Sequence, residues 1–394
     1  MTEFQNITQL FQSYKEQNKY VNVAAPMVRY SKLEFRRLLR QNNVKLCFTP
    51  MIVANSFNHS QQARLSEFST NKDDRPLIAQ FASHNSLDML AASELVSPYV
   101  DGVDLNCGCP QSWATAKGYG CALLRKPELV EDIVKTLRRN FPSSFSVSIK
   151  LRLLQGDIRS TIDLCRQLET CGATFLVIHG RTQWQKTSHP VDVTAMSEIK
   201  KSIQIPLIVN GNVKTTQDAD ELYQQTKADG VMAARGLLSN PSLFTGTTQT
   251  TIECLQQWLD IANAAGDDLS FQCLHHHLTF MWGKLMRRRR RVIFNNFSTK
   301  EQVFSFFDEH YGIRPREIDD WVSNMPCEYP DYIAAKYYAQ KTTAIETYRD
   351  GREDGTFFKS FRQKVLDVEG SSMNGDAEDD RNDLFFQNGS IFDL

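Results

Sequence analysis

The chain has 394 residues, 41% of them hydrophobic, which fits a large domain plus an appendage and leaves material for a polar tail. No apolar run approaches the roughly 18 residues that cross a bilayer. The polar, acidic start MTEFQNITQLFQSYKEQ is not a signal peptide, and nine irregularly spaced cysteines read as reduced thiols of an intracellular protein, cytoplasmic, nuclear or both. The formal net charge of −1 hides an asymmetry: 11 acidic and 5 basic residues from Asp350 to Leu394 leave the rest at +5, which keeps a polyanionic partner open.

Eight candidate strands follow in chain order: VNVAAPM (21–27), KLCFTPMI (45–52), PLIAQFA (76–82), VDGVDLNC (100–107), SVSIKLRL (146–153), TFLVIHGR (174–181), PLIVNGN (206–212) and GVMAARG (230–236). Several are nearly continuous Val/Ile/Leu runs, as in parallel strands buried on both faces. Amphipathic segments separate them. Ser31 to Glu34 has the pattern of a capping box ahead of FRRLLRQNN, with Asn42 and Asn43 as terminators. In DIRSTIDLCRQLETCG, Ile158, Ile162, Cys165 and Leu168 share a face that ends at Gly172, and Thr215 stands three residues before Asp218. This alternation predicts a (β/α)8 TIM barrel. A doubly wound open sheet is less favoured, because the first turn, APMVRYS, lacks glycine.

After about residue 250, IECLQQWLDIANAA, FQCLHHHLTFMWGKLM and EQVFSFFDEHYG read as helices without intervening strands. The expected organisation is a catalytic barrel over 1–248, a small helical domain over 249–350 and a largely disordered acidic tail over 351–394, with short helical order near FFKSFRQKVLDV.

In such a barrel the active site lies at the C-terminal ends of the strands. The polar or small residues there are Pro26, Met27 and Arg29; Gln80; Asn106, Cys107 and Cys109; Lys150 and Arg152; His179 and Arg181; Asn210, Gly211 and Asn212; and Ala234, Arg235 and Gly236. Gln, Lys and His inside apolar strands each need a partner, so their convergence points to a ligand rather than to bland core. VNGNVKTT and MAARGLL, after the seventh and eighth strands, suit a phosphate, with small residues for backbone approach and Arg235 for charge. Lys150 and His179 can set positive charge beside an electron-rich ring.

VDLNCGCPQSWATAKGYGCALL offers Cys107, Cys109 and Cys121. Three thiols without a nearby histidine do not make a zinc knuckle, so no metal is expected. Cys107 ends a strand and can face barrel or helices. Cys109 sits in the loop before Pro110, and Cys121, in GYGCALL, reads as packing.

These residues resemble the tRNA-dihydrouridine synthases. LNCGCPQSWATAKGYGCALL, AAPMV, IAQFA, IKLRL, VIHGRTQWQ, VNGNV and VMAARGLLSNP occur in that family's order and spacing over roughly residues 20 to 310. NCGCPQSWA and CLHHHLTFMWGKLM resemble its eukaryotic branch acting on D-loop positions 20a and 20b. The resemblance implies reduction of the 5,6 double bond of a tRNA uridine. NADPH would reduce FMN, and the reduced flavin would deliver hydride to carbon 6. Cys109 matches the catalytic cysteine that protonates carbon 5; an ordinary thiol, with pKa near about 8.5, is mostly protonated at neutral pH. Pro26, Met27, Val28, Gln80, Lys150, His179, Asn210, Gly211, Asn212, Ala234 and Arg235 would hold FMN. Asn106 and Arg152 match residues that hold the base, and Arg181 lies where RNA contact is expected. Many members carry Gly-Arg where this chain has Ala234-Arg235.

The target uridine must be turned out of its stack. The run KLMRRRRRV, with Lys284 and Arg287 to Arg291, is the expected phosphate contact, and HHH (275–277) reads as packing or RNA contact rather than a metal tract. The expected partner is tRNA, without DNA or membrane, and the protein is expected to be a monomer. Two alternatives remain: an FMN-dependent oxidoreductase of a small pyrimidine, and a tRNA-binding protein without catalysis.

Overall fold

A computed structural model describes residues 6–325 and 327. The expected acidic tail, with its short helix over 357–368, lies outside these residues. Eight parallel strands form the barrel: β1 (Val21–Ala24), β2 (Leu46–Phe48), β3 (Leu77–Ala82), β4 (Gly102–Cys107), β5 (Ser146–Arg152), β6 (Phe175–His179), β7 (Leu207–Asn210) and β8 (Gly230–Ala233). Each pairs with the next, and the ring closes where β1 pairs with β8 from Val21↔Gly230 to Ala24↔Ala233.

The apolar runs arise because these strands bury both faces. Outward residues such as Leu105, Ile149, Ile178 and Val209 pack under the surrounding helices. Inward residues Val21, Val23, Phe48, Ile78, Phe175, Val177, Ile208 and Met232 fill the lower barrel. The helix Ile7–Glu16, which the sequence reading passed over, seals that end by adding Ile7 and Phe11 to the same cluster. Phe11 meets Phe175 edge-on, with ring centroids 5.6 Å apart.

Two local expectations are corrected. The run 45–52 is not one strand: β2 stops at Phe48, and Ile52–Val53 forms a separate short strand pairing with the top of β3. Pro50 has no N–H for the ladder, so the chain steps out there. The Ser31–Glu34 capping box does not form. Helix Leu33–Gln41 starts after Lys32 without a side-chain cap, because the Ser31 hydroxyl donates to Ala25 O (2.9 Å) and accepts from Met27 N (2.9 Å). Ser31 closes the loop after β1 instead. Elsewhere the signals hold: Asn42 is the C-cap of that helix, and Thr215 and Asp218 form a reciprocal capping box.

Beyond the barrel run helices Ile252–Ala264, Phe271–Trp282, Arg288–Asn295 and Lys300–Tyr311. The second stops at Trp282, short of the expected Met286, and the arginine run forms a helix of its own. These helices share one apolar cluster with the barrel's outer shell. The histidine tract is packing: His277 lies 4.2 Å from the Phe35 ring centroid, His276 Nδ1 meets the Tyr30 hydroxyl at 3.1 Å, and His275 Nε2 meets Phe294 O at 2.9 Å. Among the described residues no helix is long and apolar enough to cross a membrane.

Candidate active site

Alternation along the strands turns polar above the apolar plug. On β3, β4 and β5 the inward positions Gln80, Asp104, Asn106 and Ser148 form one buried network. Ser148 Oγ donates to Asp104 Oδ1 (2.7 Å), Gln80 Nε2 donates to Asp104 Oδ2 (2.8 Å), and Asn106 Nδ2 donates to Gln80 Oε1 (2.9 Å). The remaining oxygen of the Asn106 amide accepts from Gly108 N (3.1 Å) and Cys109 N (2.9 Å). The network thus ends on the cysteine loop and fixes its backbone.

Burial raises the Asp104 carboxyl to about 6, against the opposing pull of Ser148, Gln80 and Lys150. Asp104 and Ser148 were absent from the expected site. Both lie one alternate position below a predicted residue, Asn106 and Lys150, and that period-2 spacing was readable.

Next to this network stands a concentration of positive charge. Lys150 is buried, and its ammonium is lowered to about 8 by desolvation and then by Arg152. The His179 imidazole is pushed well below its ordinary value by burial, then by Arg152, Lys150, Arg181 and Arg235. Four cations around one buried imidazole, beside a carboxyl that burial itself drives towards neutrality, make a site that favours an anion. His179 Nδ1 and Asn210 Oδ1 are buried polar atoms without a hydrogen-bond partner, although Asn210 Nδ2 donates to Met232 O at 2.9 Å. Such orphaned groups suit a polar ligand at the mouth.

The two arginines after β5 and β6 brace loops. Arg152 Nε donates to Gly108 O (2.9 Å) and Nη1 to Thr182 O (3.1 Å), joining the cysteine loop to the loop after β6. Arg181 Nη2 donates to Thr187 O (3.0 Å) and to Asn212 Oδ1 (2.8 Å), while Nε donates to His189 O (2.8 Å). Arg181 is only 1% exposed, so it orders its loop from beneath.

The loops after β7 and β8 come together. A Cβ on Gly236 would lie 2.3 Å from Val213 O, so only glycine lets the segment after β8 press onto VNGNV. Asn212 holds a left-handed φ of 59°, and Arg235 begins the turn that follows Ala234. On the far side, the bonds of Ser31 fix the turn that carries Pro26, Met27 and Val28.

The three thiols of the central motif part company. Cys107 faces the helices within the outer core, and burial raises it well above its ordinary value. Cys121 is buried, raised to about 12 by desolvation, and donates its backbone N–H to Cys109 O at 2.9 Å. Cys109 packs at the mouth against Met51, Ala82, Ala114 and Tyr119. It stands near Lys150, whose ammonium it tends to raise against the larger lowering by burial. Gly120, at φ 62°, explains the GYG: a Cβ there would stand 2.3 Å from Cys109 O.

A protein family described as dihydrouridine synthase matches residues 23–306. A Mus musculus protein named "tRNA-dihydrouridine(20a/20b) synthase-like" is 45% identical over 293 residues, covering 74% of this chain and 89% of that protein. Its Homo sapiens counterpart is 44% identical over 294 residues, 74% of this chain and 92% of the relative. A Schizosaccharomyces pombe protein named "tRNA-dihydrouridine(20a/20b) synthase" is 40% identical over 308 residues, 78% of this chain and 93% of its own. All three names specify NAD(P)+.

Proposed function

The chain belongs to the dihydrouridine synthase family, and on that premise we propose that it reduces the 5,6 double bond of uridines 20a and 20b in the tRNA D-loop, with FMN as resident cofactor and NADPH as reductant. The observation that carries this reading is the convergence of Lys150, Arg152, Arg181 and Arg235 on buried His179, beside the loop that holds Cys109.

The residues present fit a flavin phosphate ester. Gly211, Asn212, Ala234 and Arg235 offer the two packed loops for its phosphate. Gln80, Lys150, His179 and Asn210 line the inner mouth for its ring, and Pro26, Met27 and Val28 flank it. When bound and reduced, the flavin supplies hydride to carbon 6 of the uracil. Lys150 contributes a cation in a water-poor setting, where it favours negative charge more strongly than it would in water. Cys109 donates its thiol proton to carbon 5. Asn106 and Arg152 hold the base and, through their bonds to the 106–109 loop, the cysteine as well. Arg181 orders the loop that faces the RNA.

The helices of 249–311 dock the remainder of the tRNA, with the exposed side chains of Arg287, Arg288 and Arg289 against phosphates. The test is direct. Purified protein, given NADPH and unmodified tRNA, should form dihydrouridine at 20a and 20b, mapped nucleotide by nucleotide. Reduction of free uracil or dihydroorotate with no activity on tRNA would sink the reading in favour of a small-pyrimidine oxidoreductase. Purified protein without flavin colour would favour a non-catalytic tRNA-binding protein.

A further inference from the structure

Beside the apolar cluster that holds Cys109 the structure contains a cleft, which meets the proposed flavin site at Val28 and otherwise has no part in the chemistry. Its walls include Val28 and Arg29 from the loop after β1, Met51 and Val53 from the segment after β2, Glu67 at the end of a short helix, and Trp113 from the cysteine loop. We propose that this cleft binds the nucleotide adjacent to the target uridine, with its base against Trp113, Met51 and Val53 and its phosphate on Arg29. The proposal rests on the dihydrouridine synthase reading and extends it from the reacting base to its neighbour.

Two independent observations support the assignment. The first is continuity with the site. Met51, Val28, Val53 and Trp113 belong to the same apolar cluster that surrounds Cys109. One wall is therefore common to the cleft and to the cysteine's surroundings. A uridine turned out of its stack towards Cys109 brings its chain neighbour to the adjoining space, because one phosphodiester ties the two together. An aromatic and aliphatic slot there gives an unstacked base a new face to lie on.

The second is Arg29. Its backbone stands at φ 71°, in the left-handed region that non-glycine residues seldom occupy. The fold holds it there through its neighbours: Tyr30 N bonds Met27 O (3.0 Å), Ser31 clamps the turn, and the Tyr30 hydroxyl meets His276 Nδ1 (3.1 Å). The fixed turn sets Arg29 in the wall of an apolar slot, so a cation stands beside apolar surface, the combination that the phosphate and base of one nucleotide call for. Glu67 is the acidic residue of the same wall.

The experiment compares Trp113→Ala and Arg29→Asn with the wild-type holoenzyme; asparagine tolerates the left-handed backbone, so the second substitution removes the guanidinium alone. Three quantities are measured: tRNA affinity, kcat/KM for tRNA, and the rate of flavin reduction by NADPH without tRNA. The expected result is about a tenfold loss in the first two for each variant, with the third unchanged. Slower flavin reduction with tRNA affinity intact would assign the cleft to the nicotinamide and overturn the proposal. No change in any of the three would overturn it as well. Should Trp113→Ala fail to fold, Arg29→Asn decides alone. If wild-type protein forms no dihydrouridine in tRNA, the underlying reading fails while the affinity comparison still judges the cleft.

Discussion

Val177 and Ile208 point into the lower barrel, beside Phe48 and Phe175 and beneath the seal of Ile7 and Phe11. Two residues further along the same two strands, the inward positions hold His179 and Asn210, and on β4 and β5 they hold Asn106 and Lys150. One end of the barrel is a dry core that holds the fold together. The other gathers buried charge whose desolvation opposes folding and is offset only in part by hydrogen bonds. Strand pairing supports both ends, so the mouth can keep groups with orphaned polar atoms because the plug below it does not depend on them.

This division can be broken from either side. Cys109→Ala should have the largest effect. Loss of a positioned proton donor costs on the order of 10²- to 10⁴-fold in kcat, while flavin content and tRNA affinity stay near wild type. Unchanged turnover would overturn the acid assignment. Phe11→Ala tests the opposite end. Emptying the seal under Phe175 should lower unfolding free energy by about 3–5 kcal/mol in a denaturant titration, with turnover per folded molecule unaltered. A loss of kcat at constant folded fraction would show that the two ends are coupled. Replacing Arg287 to Arg291 with alanine should act on neither end. It should weaken tRNA binding and flatten the dependence of log affinity on log salt, by up to about 4 units of slope if all five meet phosphate.

The barrel was legible because buried parallel strands announce themselves as apolar runs, and the site was legible because polar residues interrupt those runs at the same height. What escaped depended on contacts distant in sequence. Ser31 looks like a helix cap in isolation, yet its hydroxyl is taken by Ala25 and Met27, and only the bend after β1 brings those groups to it. The bracing bonds of two arginines were hidden in the same way: Arg152 bonds Gly108 O and Thr182 O of the two neighbouring loops, and Arg181 reaches Asn212 Oδ1 of the next loop. Helix Ile7–Glu16 was passed over because a polar segment shows few apolar residues, although Ile7, Leu10, Phe11 and Tyr14 have helical spacing. Asp104 was hidden by its apolar neighbours Val103 and Leu105, which face the other way.

The smallest effect expected is also the one that separates the two ends by sign. In the flavin-free fold Lys150 gives up its proton near 8, whereas in the unfolded chain it keeps it to about its ordinary 10.5. Between those values the unfolded chain binds more protons, so the stability of the flavin-free protein should rise with pH across that window. Asp104 does the reverse. Its folded carboxyl holds a proton to about 6 against an ordinary 3.8, so stability should fall as pH rises between the two. Flavin binding should oppose the Lys150 trend, because an anion favours the charged ammonium and raises its pKa. Flavin affinity should therefore decline above pH 8, by at most about one decade per pH unit for a single linked proton. Affinity and flavin-free stability then move in opposite directions above pH 8, and Lys150→Met should remove both slopes while leaving the Asp104 window in place. If affinity stayed level from pH 8 to 10 in wild-type protein, Lys150 would not be the group that meets the flavin's charge.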